Sequence, residues 1–188
     1  MKTAAVVLAA GASTRLGEPK QLAELAGETL LERAVRAARE AGCAPVVVVL
    51  GALYAEILAY SQLGDVVPVI NDKWRKGMAS SIRLGVRALG FVAKDADGVV
   101  LMTCDQPAVT AAHLRALMKT GEATASHYAE RNGVPAYLPA AAFAQLMELR
   151  GDMGARELLR EAAEVELAHG ELDVDTTEDL ARARELFG

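Results

Sequence analysis

Cysteine is nearly absent from this chain. Cys43 and Cys104 are the only two, too few and too far apart for a structural zinc site. Buried free thiols are the expectation. Aromatic residues make up 4%, and Trp74 is the single tryptophan. The 52% hydrophobic content is largely alanine and valine. No apolar run approaches the about 20 residues of a membrane span, so no membrane association is expected. No long run of one charge appears, and the formal net charge is -5. That excludes a general nucleic-acid surface, which would be basic. Linkers, internal repeats and low-complexity segments are missing, and 188 residues suffice for one domain, 1–188, with a real core. Met1-Lys2-Thr3 leads into a strand-like run with no signal-peptide cleavage pattern, which predicts a cytoplasmic protein.

What is present is an alternation of strand and helix signals. Ala4 to Leu8 is strand-like. Thr29 and Glu32 form a capping-box pattern before the apolar stripe Leu30, Leu31, Ala34, Val35 and Ala38, and Gly42 closes that helix. Pro45 to Leu50 reads as a strand buried on both faces. A short helix over Ala55–Ser61 follows, then a strand over Val66–Ile70 in which Pro68 points to an edge. Ala79 to Leu89 is helical, Gly98 to Thr103 is a strongly apolar strand, and Thr110 caps a helix running to about Lys119. Ala123–Ala129 and Val134–Leu138 read as strands around a turn at Asn132-Gly133. Helices are expected at Ala140–Leu149 and Ala155–Ala162, short strands at Val165–Ala168 and Leu172–Val174, and a last helix at Thr177–Phe187. This rhythm predicts a three-layer, Rossmann-like α/β domain with a mixed, mostly parallel sheet.

The most informative segment follows the first strand: Leu8, Ala9, Ala10, Gly11, Ala12, Ser13, Thr14, Arg15, and then Lys20. Small residues let backbone approach a ligand, and its N–H groups, with Arg15 and Lys20, suit a polyphosphate. Open α/β sheets bind ligands in this position. Two better-known phosphate loops do not match. GxGxxG needs glycine where Ser13 stands, which also argues against a nicotinamide oxidoreductase; the P-loop needs Gly-Lys adjacent, but Glu18-Pro19 separates Gly17 from Lys20.

Asp105 stands at the end of the third apolar strand, in Thr103-Cys104-Asp105-Gln106-Pro107. A carboxylate there can bind Mg²⁺, which takes one or two carboxylates plus phosphate oxygens and waters. The closing segment Asp173-Val174-Asp175-Thr176-Thr177-Glu178-Asp179 offers Asp175, with Asp173 as the alternative. Glu178 and Asp179 are read as complements to the helix N-terminus. On the Asn71–Arg83 segment, Gly77 allows a tight approach, while Ser80 and Ser81 either cap the helix or bond a base. Trp74 either stacks on a ring or staples the loop to the core.

The pattern GxSxRxGxxK, with Asp-Gln-Pro, Trp-x-x-Gly, Gly-x-Pro at Gly133–Pro135 and Gly-Asp-x-Gly-Ala-Arg at Gly151–Arg156, resembles the MobA-like nucleotidyltransferases. Within them it looks most like the molybdenum cofactor cytidylyltransferases. The closing motif departs from the family pattern in Val174 for isoleucine and Thr177 for proline, and Ala136 is a further departure. The resemblance implies transfer of CMP from CTP to the phosphate of molybdopterin, with release of pyrophosphate and with Mg²⁺ on Asp105 and Asp175. It implies Arg15, Lys20 and Asp105 as catalytic residues. The nucleotide would meet Leu8 to Arg15, Lys20, Gly77, Ser80 and Ser81, and the acceptor Gln106, Gly133, Pro135, Asp152 and Arg156. A recipient molybdoenzyme or its chaperone would be the partner. Ala9-Ala10-Gly11 matches the cytidylyl members, where guanylyl members carry Ala-Gly-Gly, and the Ala10 methyl would crowd a purine. The alternatives are a guanylyltransferase or another relative with a different phosphorylated acceptor, and a non-catalytic carrier of the cofactor.

Overall fold

The computed structural model describes residues 1–188. The chain runs through β1 (Thr3–Ala9), a small hairpin of β2 (Glu24–Leu25) and β3 (Glu28–Thr29), and α1 (Leu30–Glu40). It continues through β4 (Val46–Leu50), α2 (Tyr54–Tyr60), β5 (Val67–Ile70), α3 (Met78–Val92) and β6 (Gly98–Thr103). Then come α4 (Ala111–Met118), β7 (Thr124–Tyr128), β8 (Arg131–Pro139), α5 (Phe143–Glu148), β9 (Ala163–Glu166) and α6 (Thr177–Phe187).

One seven-stranded sheet organises the molecule, in the order β5-β4-β1-β6-β8-β7-β9. β1 lies parallel to both β4 and β6, and β4 parallel to β5. β8 runs antiparallel to β6 and β7, which makes the sheet mixed as the sequence predicts. Pro68 sits on the edge strand, where its missing N–H costs no ladder bond.

Side-chain alternation along the central strands produces the three layers. Ala5, Val7, Val48 and Val100 face α1 and α4, and Ala4, Val6, Val47, Val49, Val99 and Leu101 face α3 and α5. A third, smaller cluster joins Leu16, Leu25 and Leu30 to Leu172, Val174, Leu180 and Ala183. It ties the first loop to the end of the chain. The capping box at Thr29 and Glu32 forms as expected, and a second one forms between Thr176 and Asp179.

Three local expectations are corrected. The β7–β8 hairpin turns at Ala129-Glu130, both with positive φ (48° and 59°), not at Asn132-Gly133. Gly133 instead faces the Tyr128 ring so closely that a Cβ would stand 2.4 Å from its hydroxyl. The helix expected over Ala155–Ala162 is only a 3-10 turn at Ala155–Glu157, and the strand after it is Ala163–Glu166. It gives up helical bonds to pair with β7. Leu172–Val174 is not a strand. Its apolar residues enter the third cluster, and its one inward backbone bond runs from the Val174 N–H to the Asp105 carbonyl, 2.9 Å.

Candidate active site

Parallel β1 and β6 end at the same sheet edge, so the loops after Ala9 and Thr103 lie side by side. Between them opens a cleft of about 280 Å³, lined by Leu8, Ala9, Ala10, Gly11, Lys20, Thr103, Cys104 and Asp105. Gln21, Trp74, Gly77, Met78, Ser81 and Asp152 complete its wall.

The first loop is organised in a one-sided way. Four of its carbonyls are engaged: Ala10 accepts from the Ala52 N–H, Ser13 from Leu16 and Gly17, and Ala9 and Gly11 from the Gln21 amide. No backbone N–H from Gly11 to Arg15 donates a hydrogen bond. Unpaired backbone donors on a curved loop form an anion-binding concavity.

Lys20 stands at the mouth of this loop. Its ammonium donates to Asp105 Oδ2 at 2.5 Å and to Asp175 Oδ1 at 2.7 Å. Asp175 also accepts from Arg15 Nη2 at 2.6 Å. Burial disfavours the lysine charge, but the two carboxylates outweigh it and hold the ammonium protonated above the usual lysine range. Asp105 keeps a second oxygen, Oδ1, that is buried and has no hydrogen-bond partner. Such an orphan is costly unless another group satisfies it. The Asp173 carboxyl is pushed up to about 7, by burial first and then by Asp105, and it makes no hydrogen bond to Lys20.

A divalent cation fits these residues. No group of three or more His, Cys, Asp or Glu side chains is arranged to hold a metal. Two carboxylates, one with an unpartnered oxygen, would leave the remaining positions to phosphate oxygens and water, which suits Mg²⁺ or Mn²⁺ better than zinc.

The structure separates the other expected residues into two groups. Gly77 and Asp152 meet across the cleft wall: a Cβ on Gly77, whose φ is +93°, would stand 2.4 Å from Asp152 Oδ1 and from the Gly151 carbonyl. Ser81 lines the cleft, whereas Ser80 does not. The Ser80 hydroxyl is committed to the Gly77 and Lys73 carbonyls and accepts from Asn71. Its place is in the clamp that shapes the loop. Ser13 likewise spends its hydroxyl inside the loop, accepting the Lys20 N–H. Ala12 borders a neighbouring apolar shelf with Trp74, while Thr14 and Arg15 project outside the cleft wall.

Of the expected acceptor residues, only Asp152 lines the cleft. Gln106 is buried and donates to the Gly170 carbonyl and the Tyr128 hydroxyl, so it braces the hairpin. Pro135 is buried after a cis peptide bond, and its carbonyl accepts from Ser126. Arg156 lines a separate polar hollow with His127, Arg131 and Asn132. Trp74 lines the cleft and carries the Arg75 guanidinium over its ring at 4.4 Å. Cys104 lies in the wall, but burial pushes its thiol up to about 12, and Cys43 likewise, so neither is a ready nucleophile. Sequence reasoning missed Gln21 and Asn71. Both are polar residues in otherwise ordinary contexts, and only their burial marks them.

A mostly parallel α/β sheet with an anion-receiving loop after β1, and a lysine joining two carboxylates at the same edge, defines a nucleotidyltransferase. The chain belongs to the MobA-like NTP transferase domain family, whose model matches residues 5–167. It is similar to the nicotine blue oxidoreductase of Paenarthrobacter nicotinovorans, 32% identical with 94% of each chain covered. It is similar also to the purine catabolism protein PucB of Bacillus subtilis, 30% identical over 95% of this chain and 94% of that one. Among solved structures, Rv0371c of Mycobacterium tuberculosis in complex with manganese shares 32% identity and a TM-score of 0.81, covering 98% of this chain and 99% of that one. No helix is long and apolar enough to cross a membrane.

Proposed function

We propose that this enzyme transfers CMP from CTP to the phosphate of molybdopterin and releases pyrophosphate. The observation that carries the transferase chemistry is Lys20, held between Asp105 and Asp175 at the mouth of the open N–H loop. Phosphoryl chemistry of this kind demands charge neutralisation and in-line positioning rather than a covalent intermediate. The Gly11–Arg15 N–H groups receive the β and γ phosphates. Lys20 moves its ammonium from the carboxylates to the α-phosphate and leaving pyrophosphate, and Arg15 screens the same charge. Asp105 and Asp175 would hold a divalent cation, which supplies Lewis-acid stabilisation of the developing charge. The acceptor is already an anionic phosphate, so no strong general base is needed. Asp152, which lines the cleft, would meet the acceptor. Supporting CTP is Ala10, which lines the cleft and whose methyl would crowd a purine.

A nucleotide panel tests this reading. ATP, GTP, CTP and UTP are offered with Mg²⁺, with and without molybdopterin, and pyrophosphate is measured. Release with CTP only, and only with the pterin, is expected. Release with GTP keeps the mechanism and overturns the base. Release with none of the four, from folded protein and intact cofactor, overturns the transferase reading. A second reading, redox chemistry, is favoured by one observation, the similarity to the nicotine blue oxidoreductase of Paenarthrobacter nicotinovorans. Binding of NADPH in a fluorescence titration would support it.

A further inference from the structure

Gln21 is 1% exposed and still forms part of the cleft wall. Its Nε2 donates to the Ala9 carbonyl at 2.8 Å and to the Gly11 carbonyl at 3.0 Å. Its Oε1 accepts from the Ser13 hydroxyl at 3.3 Å, and Ser13 Oγ in turn accepts the Lys20 N–H at 3.0 Å. Every hydrogen-bonding site of the amide head but one acceptor lone pair is therefore spent on the first loop. Ser13 adopts φ = 52°, a conformation unfavourable to a non-glycine residue unless its surroundings impose it.

We infer that Gln21 is the positioning residue that keeps the Gly11–Arg15 loop in its anion-receiving form. It fixes the loop through the Ala9 and Gly11 carbonyls, in a conformation whose N–H groups from Gly11 to Arg15 stay unpaired. Through Ser13 it also sets where the Lys20 backbone begins. Only a carboxamide does this here, because two donors and one acceptor are required in one head group. Glutamate keeps the acceptor and loses both donors; methionine keeps the size and loses all three bonds. The inference rests on the reading of this loop as the triphosphate site.

The test compares wild type with Gln21→Met and Gln21→Glu, using inorganic tripolyphosphate and CTP as probes in isothermal titration, and steady-state kinetics for KM and kcat. Wild type is expected to bind both probes. Both variants should lose at least about tenfold in tripolyphosphate affinity and raise KM for CTP by a larger factor than they lower kcat. Equal affinity in folded variants overturns the inference and leaves the transferase reading standing. Variants that both fail to fold make Gln21 a core residue and overturn it as well. Failure of wild type to bind either probe overturns the triphosphate site itself, and the inference with it.

Discussion

Lys20 and Asp175 are 155 positions apart in the chain and 2.7 Å apart in the fold. The contact exists because the third apolar cluster packs Leu172 and Val174 against Leu16, Leu25 and Leu30, and because Val174 bonds the Asp105 carbonyl. The lysine thus occupies one oxygen of each carboxylate, Asp105 Oδ2 and Asp175 Oδ1, and leaves Asp105 Oδ1 open.

Competition between Lys20 and a metal is directly measurable. Lys20→Met leaves two carboxylates facing each other and should lower unfolding stability by about 1–3 kcal/mol without metal. Added Mn²⁺ should raise the melting temperature of this variant more than that of wild type, since the oxygens are then free. Turnover should fall at least about tenfold. An equal Mn²⁺ response in both proteins would show that Asp105 and Asp175 do not meet the metal.

The two closing aspartates should behave differently. Asp175 bonds Lys20 and Arg15, whereas Asp173 bonds neither. Asp175→Asn should cost at least about tenfold in turnover, and Asp173→Asn less than about threefold. The reverse order in steady-state rates would move the functional carboxylate to Asp173.

Gly77 is irreplaceable by any larger residue on two grounds. Its φ is +93°, and an added Cβ would meet the Gly151 backbone at 2.4 Å. Flexible side chains can yield, but backbone cannot without moving the Asp152 loop. Gly77→Ala should therefore reduce both melting temperature and turnover, whereas Gly90→Ala, where a Cβ meets nothing within 4 Å, should be neutral or slightly stabilising in the same assays.

Stability should fall on acidification through His113. Ser126 donates its only hydroxyl proton to the Pro135 carbonyl, so His113 Nε2 must donate to Ser126 Oγ, 2.7 Å away. Burial lowers the His113 pKa below its ordinary 6.5. In the window beneath 6.5 the unfolded chain then binds the extra proton. Folding stability drops there by up to about 1.4 kcal/mol per pH unit, and levels off once the folded-state pKa is passed. Urea denaturation between pH 7.5 and 5 should show this slope, and His113→Asn should flatten it.

Much of the fold was legible because its signals are local. A valine run, a capping box at Thr29 or a helix stripe depends on neighbours within one or two turns, and these elements appear where expected. The signature loop was legible for the same reason. The errors fall where distant packing competes with local preference. Asn132-Gly133 has turn chemistry, but Gly133 is required against Tyr128, so the turn moves to Ala129-Glu130. Leu172 and Val174 alternate like a strand, yet they fill the third cluster instead. Gln106 and Ser80 carry suitable chemistry, but their polar groups are consumed inside the protein.

The sequence by itself determined the α/β alternation, the small-residue loop and the identity of its cations and carboxylates, because backbone preference and side-chain chemistry are properties of short segments. The tertiary structure alone decided which of those groups meet. Lys20 finds Asp105 through the parallel pairing of β1 with β6, and finds Asp175 through a cluster of apolar side chains drawn from both ends of the chain. Burial of nonpolar surface is non-directional. It sets such meetings by overall packing, which no local pattern records.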